Sequence, residues 1–170
     1  MAKDPPMVCS IDPQEFRRVL GYFATGVAIV TTRLGEDLHG ITVNSFASVS
    51  LDPPFVLICI DRSARAHSYL TQSGVFAVNI LRRDQEDLSR YFADPSRPEG
   101  KVGFQGIPYT EKVTGSPIFE GCLAFLDCRI VATYPGGDHT IFLGQVEALG
   151  VLQEGDPLLF YRSQYRSLGR

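Results

Sequence analysis

Residues 40–54 read GITVNSFASVSLDPP, a stretch that starts as a β-strand and ends at two prolines that break it. Hydroxyl and amide side chains are concentrated within nine of these residues, where they can converge with backbone N–H groups. Such a cluster suits an anionic phosphate group, but turns that satisfy their own backbone have the same composition. The side chains concerned are those of Thr42, Asn44, Ser45, Ser48 and Ser50.

Strand-like segments lie on both sides of this stretch. Residues 27–33 and 38–46 flank a Gly-Glu-Asp turn, which predicts a hairpin. Two longer segments flank a Pro-Gly-Gly-Asp turn and predict a second hairpin. The predicted strands cover residues 27–33, 38–46, 55–61, 75–81, 122–134, 139–152 and 158–162.

Three helices are predicted before and between these strands. Asp12 can cap an amphipathic helix over Pro13–Phe23. A second helix starts at Ser63, and a third is capped by Asp84 and ends before the next Asp-Pro pair. Residues 96–106 are rich in proline, glycine and charge, which predicts a mobile surface loop.

The order of these elements indicates the fold class. Strands predominate over helices and many are joined by short turns, so we expect a mainly β fold with peripheral helices, arranged as an antiparallel barrel. A chain of 170 residues fits one domain. Residues 1–10 are polar, with two prolines and no periodicity, and are predicted to be a flexible leader to a single domain of residues 11–170.

Composition argues against several classes of partner. The net charge of -3 and the pI of about 5.6 provide no basic field for nucleic acid. The longest apolar runs are far shorter than the roughly 20 residues that a membrane-spanning helix needs, and the first ten residues do not resemble a signal peptide. We therefore expect a cytoplasmic protein with no nucleic-acid or membrane partner.

The four cysteines are predicted to be buried small hydrophobes. They form no C-x-x-C pair and have no zinc-like spacing with histidine. Cys122 and Cys128 lie about 20 Å apart if both belong to one strand, so they can share neither a metal ion nor a disulfide. No metal site is expected.

Several runs along the chain resemble the short-chain flavin reductase family. The resemblance is carried first by FATGVAIVTT, by ITVNSFASVSLDPPFVLICI and by FAVNIL, and it covers nearly the whole chain. Only the leader and residues 95–110 match poorly. The matching segments are residues 23–32, 41–60, 76–81, 87–93, 115–130, 136–146 and 157–165.

The resemblance implies a fold and an activity. The fold is a split β-barrel of the FMN-binding type, usually a homodimer, and the activity is hydride transfer from NADH or NADPH to FMN or FAD. Many family members pass free reduced flavin to a separate oxygenase component. Such chemistry agrees with the absence of hydrolase and Rossmann motifs from the sequence, because the cofactor carries the electrons and the protein supplies geometry. Two alternatives are a flavin-binding electron carrier or sensor, and a barrel oxidase acting on a small amine.

The resemblance also assigns flavin-contacting residues. The stretch at 42–45 would hold the ribityl and isoalloxazine portions, and the residues after it would complete the pocket. The Ser63–His67 segment would approach the phosphate, where Arg65 either pairs with it or is an ordinary exposed arginine. The predicted contacts are Thr42, Val43, Asn44, Ser45, Ser48, Ser50, Leu51, Ser63 and Arg65.

The segment GGDHT places His139 on the nicotinamide side of the flavin by the same resemblance. Its imidazole could bind the carboxamide or a cofactor phosphate, and Asp138 either orients the ring or bonds its own turn. His67 is expected to be a surface histidine. Phe104 and Tyr165 are candidates for stacking or gating, although aromatic residues in loops and near termini usually serve packing.

Overall fold

The computed structural model describes residues 10–169 of the chain. The predicted leader, apart from Ser10, lies outside these residues, as does Cys9. The helices are α1 (Pro13–Leu20), α2 (Arg65–Ser73) and α3 (Glu86–Ala93), with a 3-10 helix at Gly100–Phe104. The strands are β1 (Thr25–Gly26), β2 (Ala28–Leu34), β3 (Asp37–Val43), β4 (Phe46–Leu51), β5 (Pro54–Asp61), β6 (Val75–Ile80), β7 (Tyr109–Thr110), β8 (Ile118–Phe119), β9 (Ala124–Gly136), β10 (His139–Val151), β11 (Leu159–Tyr161) and β12 (Gln164–Arg166).

The main sheet has seven strands in the order β3-β2-β6-β9-β10-β5-β4, and all neighbours are antiparallel. Its two edge strands, β3 and β4, follow each other in the chain with only residues 44–45 between them. The sheet must therefore curl until its edges meet, which gives a barrel with an opening between β3 and β4. The predicted mainly β fold with peripheral helices, a split barrel, is confirmed.

Within residues 10–169, apolar side chains form three clusters, of which the two larger ones position the site. One fills the interior, where Ile58, Phe76 and Phe142 have no exposed surface. The other lies outside the sheet and joins it to α3 and the 3-10 helix through Phe92 and Phe104. Burial of such side chains stabilises the fold by about 1.5–3 kcal/mol each.

The approach of α3 to β3 depends on a glycine. A Cβ atom at Gly40 would lie 2.7 Å from the ring of Phe92, closer than real carbon atoms come. Glycine therefore lets α3 pack directly on the edge strand of the barrel. This packing matters for the site, because it leaves the outer edge of β3 next to the end of α3.

The first helix is capped as predicted but is shorter. Asp12 accepts hydrogen bonds from the backbone N–H groups of Gln14 and Glu15, at 3.2 and 3.3 Å. The helix ends at Leu20 rather than at Phe23, because Gly21 takes the C-cap position and its N–H bonds back to the helix. No side chain of α1 is buried, so its apolar face is uncovered.

Other predicted boundaries need correction. The second helix begins at Arg65 rather than Ser63, with Ala64 as its cap. Asp84 does not cap α3, because two hydrogen bonds of 2.6 and 2.8 Å tie its carboxylate to the guanidinium of Arg82. Gln85 occupies the cap position instead.

Two predicted segments differ in kind. The predicted strand over residues 38–46 is interrupted at residues 44–45, and β4, which was not predicted as a separate strand, follows. The segment 96–106 is not a plain surface loop, because it contains the 3-10 helix and Phe104 is only 6% exposed. Phe104 packs inward, whereas Val102 is exposed, so a single buried aromatic residue anchors the segment.

The cysteines of the described chain are unpaired thiols. Burial raises the pKa of Cys122 to about 11, and burial with nearby negative charge raises that of Cys128 to about 12. Both behave as the predicted small hydrophobes. None of the helices formed by residues 10–169 has the length and apolar character required to cross a membrane.

Candidate functional site

A groove follows the outer edge of β3. It consists of three adjoining cavities of about 100, 210 and 340 Å³. Ala93 lines both the first and the second cavity. Val27, Val43 and Asn44 line both the second and the third, so the three lie next to one another along the strand. From Gly40 to Asn44 the strand advances roughly 13 Å, which makes the groove long and narrow.

The open edge of β3 supplies backbone donors to this groove. The guanidinium of Arg97 donates to the carbonyl oxygen of Gly40, on the side away from β2. The N–H and C=O of one strand residue point the same way, and the direction repeats every second residue. The N–H groups of Gly40 and Thr42 therefore face the groove.

The hydroxyl groups of the predicted flavin contacts are mostly engaged within the protein. Each donates to a nearby oxygen and so stabilises a connection between elements, which leaves only its acceptor capacity for a ligand. Ser89 belongs to α3, so the first of these bonds also fixes the groove wall. The bonds run from Thr42 to the Ser89 carbonyl (2.6 Å), from Ser45 to the Cys59 carbonyl (2.7 Å), from Ser50 to the Pro53 carbonyl (2.7 Å) and from Ser63 to the Asp61 carboxylate (2.7 Å).

Two arginines converge on the smallest cavity. Arg65 is the first residue of α2, and its guanidinium lies 2.5 Å from the carboxylate of Glu99. Arg97 lies over the ring of Phe92 at 5.2 Å, and burial lowers its pKa, with Arg65 adding to the effect. This end of the groove is cationic and suits an anionic group.

His39 lies in the wall of the same cavity and was not predicted. Its side chain is 5% exposed and stacks on Tyr69, with ring centroids 4.7 Å apart. Burial, followed by the positive charges of Arg97 and Arg65, lowers its pKa to about 4, so the imidazole is neutral near pH 7. Only the folded strand reveals that His39 faces two arginines.

Aromatic side chains line the middle of the groove. Tyr165 and Phe160 pack edge to face, with centroids 5.4 Å apart, in the cavity that also contains Thr42 and Asn44. The hydroxyl of Tyr165 is 2.8 Å from that of Ser89. The structure thus brings the stacking candidate Tyr165 together with the predicted segment 42–44.

Other predicted contacts lie away from the three cavities. Ser48, Ser50 and Leu51 belong to β4 on the opposite edge, where Leu51 is 95% exposed. Ser45 and Ser63 do not line the groove either. Phe104, the other candidate for stacking or gating, lies beneath Gly40 as part of the apolar cluster and does not line the three cavities.

His139 is the first residue of β10 and pairs with Asp61 of β5. Its Nδ1 atom is 2.7 Å from the Asp138 carboxylate, so Asp138 orients the ring and leaves Nε2 available. Asp61 lies roughly 7 Å along β5 from Cys59, which is bonded to Ser45. His139 therefore stands near the connection at residues 44–45 but does not line the groove.

His67 is not a surface histidine. Its ring is half-buried, with Nε2 2.8 Å from the hydroxyl of Thr140 and the ring packed edge-on against Phe142 at 5.5 Å. These contacts join α2 to β10. His67 therefore fixes the strand that begins with His139.

Comparison with known proteins identifies the family. The model of the "Flavin reductase like domain" family matches residues 20–169. The chain belongs to this family of flavin reductase-like domains. It is 43% identical over 159 residues to the reductase subunit HsaB of a flavin-dependent monooxygenase from Rhodococcus jostii, a match that covers 94% of this chain and 80% of HsaB.

Other members of the flavin reductase-like family are similarly close. An NADH-dependent flavin reductase from a Rhodococcus species is 42% identical, with 93% of this chain and 88% of that protein covered. The solved structure of the NADH:FAD oxidoreductase SgcE6 from Streptomyces globisporus, in complex with NAD and FAD fragments, superimposes with a TM-score of 0.85. It shares 40% identity, and the match covers 94% of this chain and 96% of SgcE6. The predicted family and fold are confirmed.

Proposed function

We propose that this chain is an NADH:flavin oxidoreductase that transfers a hydride to FMN or FAD and supplies the reduced flavin to a separate monooxygenase. The groove along β3 carries this proposal, because it joins an open strand edge to a cationic end. The relatives described above are named as NADH-dependent reductases or as a monooxygenase subunit. None of them is named as an electron carrier, a sensor or an amine oxidase.

The residues of the groove fit a flavin mononucleotide moiety. The N–H group of Thr42 faces the groove and suits the carbonyl oxygens of the isoalloxazine, while Val27 and Val43 offer apolar contact to its ring. The cationic end suits the phosphate, with Arg65 as its direct partner and Arg97 adding positive charge while it bonds the Gly40 carbonyl. When bound, the flavin supplies a ring that accepts the hydride, and the protein provides orientation and exclusion of water.

The remaining predicted contacts belong to the proposal with different roles. Ser45, Ser48, Ser50 and Leu51 would cover the flavin from the β4 side of the opening, next to Asn44. Ser63 would support the turn that presents Arg65, through its bond to Asp61. Phe104 would act from beneath Gly40 and shape the cationic end of the groove without touching solvent.

His139 is proposed to orient the nicotinamide. Asp138 holds Nδ1, so Nε2 can bond the carboxamide and direct the reacting carbon toward the flavin. Hydride transfer of this kind needs no protein acid or base. The role of His139 is therefore one of position.

We also propose that two chains associate and that the enzyme acts in the cytoplasm as a single domain over residues 11–170. Phe16, Val19, Leu20 and Phe23 are each more than half exposed around α1, and Leu51 projects from β4. A second copy would cover such apolar surface. Reduced nicotinamide is available in the cytoplasm, which supports that location. Light scattering on a sizing column should show twice the mass of one chain.

One assay tests the activity. Purified protein is mixed with NADH or NADPH and with FMN, FAD or riboflavin, and the nicotinamide absorbance is followed. Oxidation of NADH that depends on added flavin is the expected result. No oxidation with any flavin, despite a folded protein, would overturn the proposed function.

A further inference from the structure

The cationic end of the groove already holds an anion, the carboxylate of Glu99. Its Oε1 atom lies 2.5 Å from a terminal nitrogen of Arg65, and both side chains are about half exposed. Arg65 lines the smallest cavity of the groove. The carboxylate is therefore bonded to one of the two cations that face this cavity.

Glu99 is held in place by anchors on both sides. Two residues before it, Arg97 bonds the Gly40 carbonyl and lies over the Phe92 ring. Two residues after it, Lys101 bonds Glu36 in the turn between β2 and β3. The segment 97–101 is thus fixed at both ends to β3 and the turn before it. Glu99 lies in the middle of this segment, next to Arg65.

We propose that Glu99 competes with the flavin phosphate for Arg65, so that phosphate binding requires the Arg65–Glu99 ion pair to open. This inference rests on the proposed function. A guanidinium binds carboxylate and phosphate oxygens with the same fork of N–H donors, so one face of Arg65 serves one of them at a time. Glu99 acts as a built-in competitor that weakens the binding of phosphate-bearing flavins.

Arg65 is the cation that the phosphate must recruit. Arg97 is already committed to the Gly40 carbonyl and the Phe92 ring. The imidazole of His39 is neutral near pH 7 and contributes no charge. A phosphate in a cavity of about 100 Å³ would also lie close to the Glu99 carboxylate and repel it. Entry of the phosphate and departure of Glu99 are therefore coupled.

The competition between Glu99 and the phosphate favours exchange of the flavin between enzyme and solution. An enzyme that delivers reduced flavin elsewhere must release it, and a carboxylate that returns to Arg65 favours release. The competition acts on the phosphate alone, because no part of the ring contacts Arg65 in the proposed arrangement. Riboflavin, which has the same ring and ribityl chain without the phosphate, should not be affected.

The test compares FMN with riboflavin in Glu99→Gln. Dissociation constants are measured by quenching of flavin fluorescence on titration with protein. We expect Glu99→Gln to bind FMN about two- to fivefold more tightly, the range that an exposed ion pair allows, and riboflavin as the wild type does. In an Arg65→Ala background the same substitution should tighten FMN binding less, because only the direct repulsion between Glu99 and the phosphate is left to remove.

Glu36→Gln is the matched control. It removes one carboxylate from an ion pair with the same segment, at Lys101, but does not touch Arg65. Its ratio of FMN to riboflavin affinity should equal that of the wild type. A Glu99→Ala variant checks that the effect follows from the lost charge and not from the new amide.

The possible results distinguish a failure of the Glu99 competition from a failure of the proposed function. If the wild type binds both flavins and Glu99→Gln keeps the wild-type ratio of FMN to riboflavin affinity, the competition is wrong and the proposed function stands. The competition is also wrong if Glu36→Gln raises the ratio equally. If the wild type binds neither flavin and does not oxidise NADH, the proposed function fails and this inference fails with it.

Discussion

The two edges of the barrel opening, β3 and β4, come from one continuous hydroxyl-rich stretch but have different surroundings. Helix α3 packs behind β3, and two arginines stand at the end of its groove. Of β4, Phe46 alone lines one of the three cavities, and Leu51 projects from the far end of the strand into solvent. Similar composition therefore gives a binding edge only where other elements back the strand and add charge.

The largest expected effect is a loss of stability when the helix that packs behind β3 is disturbed, compared with a substitution on β4. Phe92 is 2% exposed and packs against Gly40, so Phe92→Ala should lower the free energy of unfolding by about 3–5 kcal/mol. Leu51→Ala on β4 should change it by less than about 0.5 kcal/mol in a single chain. Urea denaturation measures both. If Leu51→Ala lowers the free energy of unfolding by more than about 0.5 kcal/mol, and the loss grows with protein concentration, a second copy of the chain covers β4.

The charge at the end of β3 is the next point of difference. Arg65→Ala should weaken FMN binding about 30-fold, which is about 2 kcal/mol for a charge-assisted hydrogen bond. Riboflavin binding should stay nearly unchanged. Arg62→Ala, which removes an exposed arginine three residues earlier, is the control. Equal losses for FMN and riboflavin would contradict a phosphate site at Arg65.

The site was predictable from sequence as a region and not as a set of atoms. The segment Thr42–Asn44 and Arg65, which strand pattern and family resemblance indicate, line the groove, while their contacts with flavin are a prediction. The donors facing the groove at Gly40 and Thr42 are backbone N–H groups, because the Thr42 hydroxyl is used by α3. No local sequence pattern predicts that the donors are backbone groups, because this depends on how α3, distant in the chain, packs against β3.

The fold was predictable to a similar extent. Alternation identified the long strands and both hairpins, since each depends on neighbouring residues. The break at residues 44–45, which separates β3 from β4, follows from closure of the whole sheet and has no local signal. His39 escaped notice for the same reason, because Arg65 and Arg97 reach it from two different parts of the chain.

A substitution at His139 tests whether nicotinamide and flavin are bound by different sides of the opening. It lies on β10, two strands from the β4 edge, and is proposed to orient nicotinamide rather than flavin. His139→Ala should lower kcat/KM for NADH about tenfold, or about 1.4 kcal/mol, with the dissociation constant of FMN unchanged. Asp138→Asn should have a smaller effect in the same direction, because it loosens the ring. Unchanged turnover in His139→Ala would remove this residue from the mechanism.

The smallest expected effect concerns His39, which has no counterpart on the β4 edge among the described residues. Its pKa is about 4 in the folded chain and about 6.5 when the chain is unfolded, so between these values only the unfolded chain binds the proton. The free energy of unfolding should therefore fall as the pH drops through this window and be insensitive to His39 above it. From pH 6 to pH 5 the contribution is about 1 kcal/mol, since at most one proton is involved.

Urea denaturation of flavin-free protein at several pH values measures this contribution. Carboxylates elsewhere also titrate at low pH, so the informative quantity is the difference in slope between the wild type and His39→Gln. The variant keeps a polar side chain beside Arg65 and Arg97 but cannot take up the proton, so its profile should be flatter. Parallel profiles would mean that His39 has the same pKa in the folded and the unfolded chain, so that its burial does not disfavour the charged form. In that case water reaches His39 in the folded chain as it does in the unfolded chain. The cavity beside β3 is then more open to solvent than its packing indicates, and β3 and β4 differ less in their surroundings.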